Sequence, residues 1–218
     1  MEYRNITNDQ LIAIVTLAVK KALAAQARTV PVGISVRHVH LDRAAMDVLF
    51  GRNVVLTPKK ALSQPGQFAA EECVEVVGPR GTLHKVRILG PLRGAVQIEL
   101  AQTDCRNIGI DAPVRASGDL AGTPGAVLRG PCGELQVTQG VIVADRHIHL
   151  SPAEAAAYGL ADGDRVKVAV GGQKPGMLGN VLIRSNPQCA MDFHLDTDDG
   201  NAFLLRQGQL VTILEKEV

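Results

Sequence analysis

The hexapeptide VRHVHL at 36–41 returns as DRHIHL at 145–150, and the two copies hold four of the six histidines in the 218-residue chain. The repetition extends outward from them. Upstream, VPVGISVRHVHL and GVIVADRHIHL are both Val/Ile-rich strand patterns. Downstream, LDRAAMDVLF offers Asp42 as a helix N-cap. LSPAEAAAYGL offers Ser151 as N-cap, Pro152 at the first helical position and Glu154 at the capping-box position. Each copy therefore reads as a strand and then a short helix, and the chain is expected to fold as two halves built on one plan.

The segments 72–100 and 164–195 continue the parallel. Both alternate Val-x-Val and Val-x-Ile with Gly and Pro turns between them, a pattern of small, mostly antiparallel β domains. Long helical periodicity is absent after residue 30. With no Trp, two Tyr and four Phe, the cores must be built from Val, Ile, Leu and Ala. The expected fold is mostly β: two duplicated small β-barrel domains with short capping helices, plus an N-terminal helix. The divisions are 1–29 for that helix and a linker, 30–139 for the first barrel-like domain and 140–218 for the second, with segments free to exchange between them.

The N-terminal run DQLIAIVTLAVKKALAAQA (9–27) is apolar, but Lys20 and Lys21 interrupt it well short of the roughly 20 apolar residues of a membrane span. Ala25-Gln26-Ala27 imitates a signal-peptidase site, yet Glu2 and Arg4 replace a basic leader. The reading is a helix capped by Asn8 or Asp9, with a linker at 26–29. It either packs on the body or serves as a detachable targeting or partner-binding helix. Twenty-three Lys and Arg against 22 Asp and Glu, evenly spread, argue against nucleic acid as a partner. Cys73, Cys105, Cys132 and Cys189 form no Cys-x-x-Cys pair and read as reduced, structural thiols in a cytosolic setting.

Setting the halves side by side places QIEL (97–100) opposite DFHL (192–195), so Glu99 faces His194. Each half then supplies an H-x-H and a third side chain able to bind metal: His38, His40 and Glu99; His147, His149 and His194. In a strand, residues i and i+2 share a face, so both histidines of each pair project together while Val39 or Ile148 turns to the core. One isolated H-x-H is an ordinary surface strand. Two copies with matched flanks and a matched third ligand point to a transition metal such as zinc, and three ligands per site leave an open position suited to catalysis. Spacing alone leaves open which third ligand serves which pair. His84 reads as a solvated strand residue without partners.

Arg37 and Arg146 precede the two motifs, as bracing ion pairs or as substrate contacts. Arg93, after a Gly-Pro turn in GPLRGAVQIE, is placed to grip an anion beside the metals. Ser117 lies in APVRASGDLAGTPG (112–125), either a phosphate-binding loop or an ordinary turn. Asp196, Asp198 and Asp199 follow His194, either orienting imidazoles or capping a turn. No nucleophile elbow or Cys/His signature appears, so metal-assisted chemistry on a phosphate or carbonyl is expected.

The segments VGISVRHVHL, KKALSQPGQFAAEE, GPLRGAVQIEL, DAPVRASGDL, GVIVADRHIHLSP and FHLDTDDGNA, in that order over roughly 30–205, resemble the PduL-type phosphotransacylase (phosphate propanoyltransferase) family of bacterial microcompartments. The resemblance implies reversible transfer of an acyl group, propanoyl or acetyl, between coenzyme A and phosphate at a two-zinc site between two β-barrel domains. It implies that Glu99, His147 and His149 hold one zinc and His38, His40 and His194 the other, the third ligands being exchanged between halves. It also implies that Arg93, with Ser117 nearby, binds phosphate. The N-terminal helix would be an encapsulation peptide contacting shell or core proteins of a microcompartment in the bacterial cytoplasm, and the enzyme a homo-oligomer. A metal-dependent hydrolase and a non-enzymatic metal-binding microcompartment protein are the competing readings. A barrel hydrolase needs a longer chain of alternating strands and helices, about 250 residues.

Overall fold

The computed structural model describes residues 7–217, with the side chains of 20–27 left out of account. The chain is mostly β, as the sequence indicates, and its strands form two sheets. The C-terminal half supplies β11 (His147–Leu150), β12 (Arg165–Val170), β13 (Gly176–Ser185), β14 (Asp192–Asp196) and β15 (Leu210–Lys216), which close into a six-stranded barrel with β1 (Thr29–Ser35). The other sheet stays open and curls into a half-barrel of nine strands. Its spatial order is β7 (Val114–Arg115), β10 (Val141–Ala144), β6 (Gln97–Glu99), β2 (His38–His40), β5 (Gly81–Gly90), β4 (Phe68–Gly78), β8 (Ala126–Arg129) and β9 (Glu134–Val137), with β3 (Pro58–Ala61) paired to β4.

The duplicated plan is visible in the pairings. β2 runs parallel to β5 and antiparallel to β6, with His38 opposite Glu99. β11 runs parallel to β13 and antiparallel to β14, with His147 opposite His194. The hairpins β4–β5 and β12–β13 correspond in the same way. Alternation does what the pattern requires: along β12, Val166, Val168 and Val170 are buried while the residues between them are half-exposed.

The halves interpenetrate by one strand each. β1, which leads into the first H-x-H, pairs in parallel with β14 of the barrel. β10, which leads into the second, pairs in parallel with β6 of the open sheet. Val30 and Val32 therefore sit in the barrel core, and Val141 and Val143 in the core of the other sheet. Each fully buried Val contributes roughly 1.5–3 kcal/mol. The chain crosses from sheet to sheet at 36–37 and again at 145–146, immediately before the histidine pairs, so both pairs meet where the sheets adjoin.

Short helices finish the plan. Asp42 caps α2 (Arg43–Phe50), accepting from the Ala45 amide at 2.7 Å. Ser151 and Glu154 form the expected capping box on α4 (Pro152–Tyr158). α3 (Gln102–Ile108) follows β6 and α5 (Thr197–Ala202) follows β14. At the N-terminus α1 (Asn8–Ala27) is capped one residue earlier than expected: Gln10 N–H donates to Thr7 Oγ1 at 3.3 Å, and the Gln10 side chain accepts from the Thr7 amide at 3.0 Å. Arg28 alone separates it from β1, in place of a linker over 26–29. Leu11, Ile12, Ile14, Val15, Leu17 and Val19 of α1 are all exposed, so this stretch does not pack on the body. Among the described residues no helix is long and apolar enough to cross a membrane.

Candidate metal and anion site

The six expected ligands converge, grouped by half. His38, His40 and Glu99 present ligand atoms within 4.8 Å of one another, and so do His147, His149 and His194. The register explains this: each third ligand lies directly opposite the first histidine of its own half. The exchange of third ligands implied by the resemblance is the alternative grouping of the same six side chains. The halves trade the strand upstream of each pair.

Backbone carbonyls at the two crossings set the rings. His38 Nδ1 meets the Val36 carbonyl at 2.9 Å and His147 Nδ1 meets the Asp145 carbonyl at 2.7 Å, which leaves both Nε2 atoms facing inward. His149 Nδ1 contacts Cys189 Sγ at 3.3 Å, whereas His40 Nδ1, although buried, has no partner among the described residues. His194 Nε2 is held by Asp192 Oδ2 at 3.0 Å, leaving Nδ1 as its other ring nitrogen. A carboxylate that orients a ligating imidazole in this way also raises its basicity.

The donor sets fit zinc. Ligands about 2 Å from a tetrahedral ion stand roughly 3.3 Å apart. His147 Nε2 and His149 Nε2 are 3.1 Å apart, His38 Nε2 and Glu99 Oε2 3.4 Å, and His40 Nε2 and Glu99 Oε1 3.7 Å. Three of the histidines, His40, His147 and His149, are held in the neutral form a metal needs. Burial first, then neighbouring His38 and Arg93, lower His40 to about 3. Burial, with His194 and Arg184 adding to it, lowers His147 to about 4, and burial with His147 and His194 lowers His149 to about 3. His38 differs. Burial would lower it, but Glu99 and the Val36 carbonyl outweigh that and raise it, while Glu99 is held well below the usual carboxylate range despite its own burial.

Both clusters face a cleft of about 1250 Å³ lined by both sheets, with Arg93 and Ser117 in its wall. Arg93 Nη1 donates to Ser117 Oγ at 3.2 Å, and Ser117 Oγ lies 3.3 Å from Glu99 Oε1. The loop is tied down by buried Gln97, whose side chain donates to Ser117 Oγ at 2.8 Å and accepts from the Gly118 amide at 2.8 Å. Gln97 and Asp192 occupy equivalent positions, each two residues before a third ligand on the same strand face, opposite His40 and His149. Sequence reasoning passed over both. The signal was the period-2 alternation in QIEL and DFHL, which aims them at the site with Glu99 and His194. Close approach is also built in at Gly33, which pairs with His194 in β1. A Cβ there would lie 2.6 Å from Asp192 Oδ2.

The remaining candidates resolve into structural roles. Arg37 pairs with Asp104 of α3, and Arg146 with Asp199 of α5 at 3.3 Å, so each arginine braces its crossing. Asp196 caps α5, and Asp198 accepts from the Thr103 amide of α3 at 2.8 Å, joining the halves without touching an imidazole. His84 is exposed as expected but has a partner, Glu75 Oε1, at 2.7 Å. Cys189, read as incidental, lies in the cleft against His149 because the turn after β13 returns over the second cluster. Without the fold, nothing near it in sequence points there.

A profile of the phosphate propanoyltransferase family matches residues 31–206. A phosphate propanoyltransferase of Thermotoga maritima is 50% identical over 185 residues, covering 84% of this chain and 88% of the relative. One from Rhodopseudomonas palustris is 48% identical over 187 residues, with 86% and 83% covered, and one from Salmonella typhimurium is 48% identical over 176 residues, with 80% and 83% covered. With the repeated histidine strands and the shared cleft in place, this chain belongs to the phosphate propanoyltransferase family, and it is an acyltransferase.

Proposed function

We propose that the chain interconverts acyl-CoA plus phosphate with acyl phosphate plus coenzyme A, with propanoyl, named for the relatives, as the favoured acyl group and acetyl as a second substrate. The observation that carries this reading is the convergence of both ligand clusters, Arg93 and Ser117 on one cleft. His38, His40 and Glu99 would hold one zinc, and His147, His149 and His194 the other. Bound there, zinc would supply Lewis-acid stabilisation of the thioester oxygen and of the departing thiolate.

The chain's own groups bind and orient. Arg93, its guanidinium steadied by Ser117, holds phosphate by charge-assisted hydrogen bonds. A phosphate oxygen then attacks the acyl carbon, the C–S bond breaks, and coenzyme A leaves as thiolate. Positioning two bound reactants in a shared cleft carries much of the acceleration. Cys189 is the thiol in the site, but its neighbour His149 is held at about 3, far from the value near neutrality of an efficient general base. Direct attack therefore fits better than an acyl-enzyme.

Exposed Leu11, Ile12, Ile14, Val15, Leu17 and Val19 support α1 as an encapsulation helix for the shell or core of a microcompartment. The assembly would be a homo-oligomer in the bacterial cytoplasm.

The test is thiol release from propanoyl-CoA by zinc-loaded protein, with and without phosphate, using hydroxylamine to trap acyl phosphate. Phosphate-dependent release with trapped product is expected. Release indifferent to phosphate would indicate a hydrolase, and none from two-metal protein would indicate a binding role.

A further inference from the structure

We propose that Arg184 is the second arm of an anion clamp: with Arg93 reaching from the opposite sheet, it grips a tetrahedral phosphoryl group, as inorganic phosphate or as the phosphoryl end of an acyl phosphate. The proposal rests on the transferase reading for its substrate, though not for its anion chemistry.

The placement follows from register. β13 runs parallel to β11 with Arg184 directly paired to His149. Directly paired residues project from the same face of a sheet, so the guanidinium emerges beside the second cluster, and Arg184 lines the cleft. In the other half the corresponding parallel pairing sets Arg87 beside His38 and Ile88 beside Val39, so the next position, beside His40, is Leu89. The duplicated plan thus carries a cation next to the second histidine in one half only. Arg87 is also spent differently, since it donates to the Ala70 carbonyl at 2.5 Å and sits near that of Glu71.

Charge bookkeeping then leaves Arg184 without a counterion. Among the described residues it makes no ion pair and no side-chain hydrogen bond. The acids of the cleft are already engaged: Glu99 faces His38 and His40, Asp192 holds His194, Asp145 pairs with Arg165 at 2.7 Å, and Asp196 caps α5. Arg184 is close enough to Arg93 for its charge to lower that guanidinium's pKa, behind burial as the main cause and against Glu99. Two guanidiniums that line one cleft and lack a shared counterion repel. An anion with several oxygens removes that repulsion and can accept a forked pair of bonds from each.

Isothermal titration of zinc-loaded protein with inorganic phosphate tests the clamp, alongside KM for phosphate and for acyl-CoA. Arg184→Ala is expected to weaken phosphate binding and raise its KM roughly 10- to 100-fold, with KM for acyl-CoA within about twofold and two zinc ions per chain retained. Arg184→Lys is expected to recover only part of the loss, because an ammonium lacks the planar fork. If the alanine variant misfolds, Arg184→Gln and Arg184→Lys carry the comparison. Unchanged phosphate binding overturns the clamp. So does a raised KM for acyl-CoA with phosphate unaffected, which would give Arg184 to the coenzyme's own phosphates. Phosphate binding that Arg184→Ala weakens, in protein yielding no trapped acyl phosphate, leaves the clamp standing and removes the transferase reading.

Discussion

The two ligand clusters stand on the same strands in the same register, yet one contains a buried carboxylate and the other is all imidazole. Glu99 and His38 are buried 3.4 Å apart, Glu99 raising His38 and His38 lowering Glu99, so the first cluster brings an anion of its own. The second keeps His147 and His149 neutral by burial and has no anion among its three ligands. A dication there would be less neutralised by its ligands, with the Arg184 side chain on the neighbouring strand. Duplication supplied the geometry, and one substitution at the third ligand divided the labour.

The largest expected effect tests whether the clusters are separate at all. Grouping by half predicts that His40→Ala/Glu99→Ala keeps one zinc per chain while His40→Ala/His194→Ala keeps none, and that both lose at least about 100-fold in turnover. Metal analysis of the purified variants decides. Exchanged ligands would reverse the two zinc counts.

Acid should separate the clusters next. His40, His147 and His149 ionise at about 3, 4 and 3 in the fold against about 6.5 in the unfolded chain. Between those values the unfolded state binds more protons. Their stabilisation is thus complete above about pH 6.5 and drains as pH falls toward 4 and then 3, by up to about 1.4 kcal/mol per pH unit per histidine. Raised His38 works the other way, adding stability below 6.5 that is lost as pH rises through its folded value. The pH dependence from His38 thus lies only above 6.5, and below that the first cluster contributes acid sensitivity through His40 alone while the second contributes it through His147 and His149. Urea unfolding at pH 7.5, 6 and 5 should show a slope that His147→Gln/His149→Gln flattens more than His40→Gln does.

The braces at the crossings should differ more modestly. Arg37→Ala strands Asp104, whose side chain is only 7% exposed, and is expected to cost about 2 kcal/mol. Arg146→Ala frees the more exposed Asp199 and should cost about 1 kcal/mol or less. Equal losses in denaturant titrations would show that the crossings are not held unequally. Cys189→Ala should weaken one of the two zinc ions roughly 10-fold in chelator competition, with Cys189→Ser restoring part of it, because His149 alone draws its Nδ1 partner from a distant turn. Smallest is Ser151→Ala, about 1 kcal/mol from the lost cap, without change in zinc content.

Much of this was legible from spacing. H-x-H twice, with QIEL and DFHL in matching places, singled out all six candidate ligands because period-2 alternation is a local property of a strand. The caps of α2 and α4 were equally local. Asp192 and Gln97 were within reach of the same rule, and attention to the acidic run at 196–199 obscured Asp192. Other parts depend on pairings between residues far apart in sequence. That β1 joins the barrel while β10 joins the open sheet, that Arg184 stands beside His149, and that Cys189 folds back over the second cluster all follow from which strands become neighbours. The sequence by itself determined the duplicated β plan, the six candidate ligands and the arginine expected at the anion. Only the tertiary structure decided which strands the halves trade and which cations share the cleft, because inter-strand register is set by packing two cores at once and leaves no signature in a single strand.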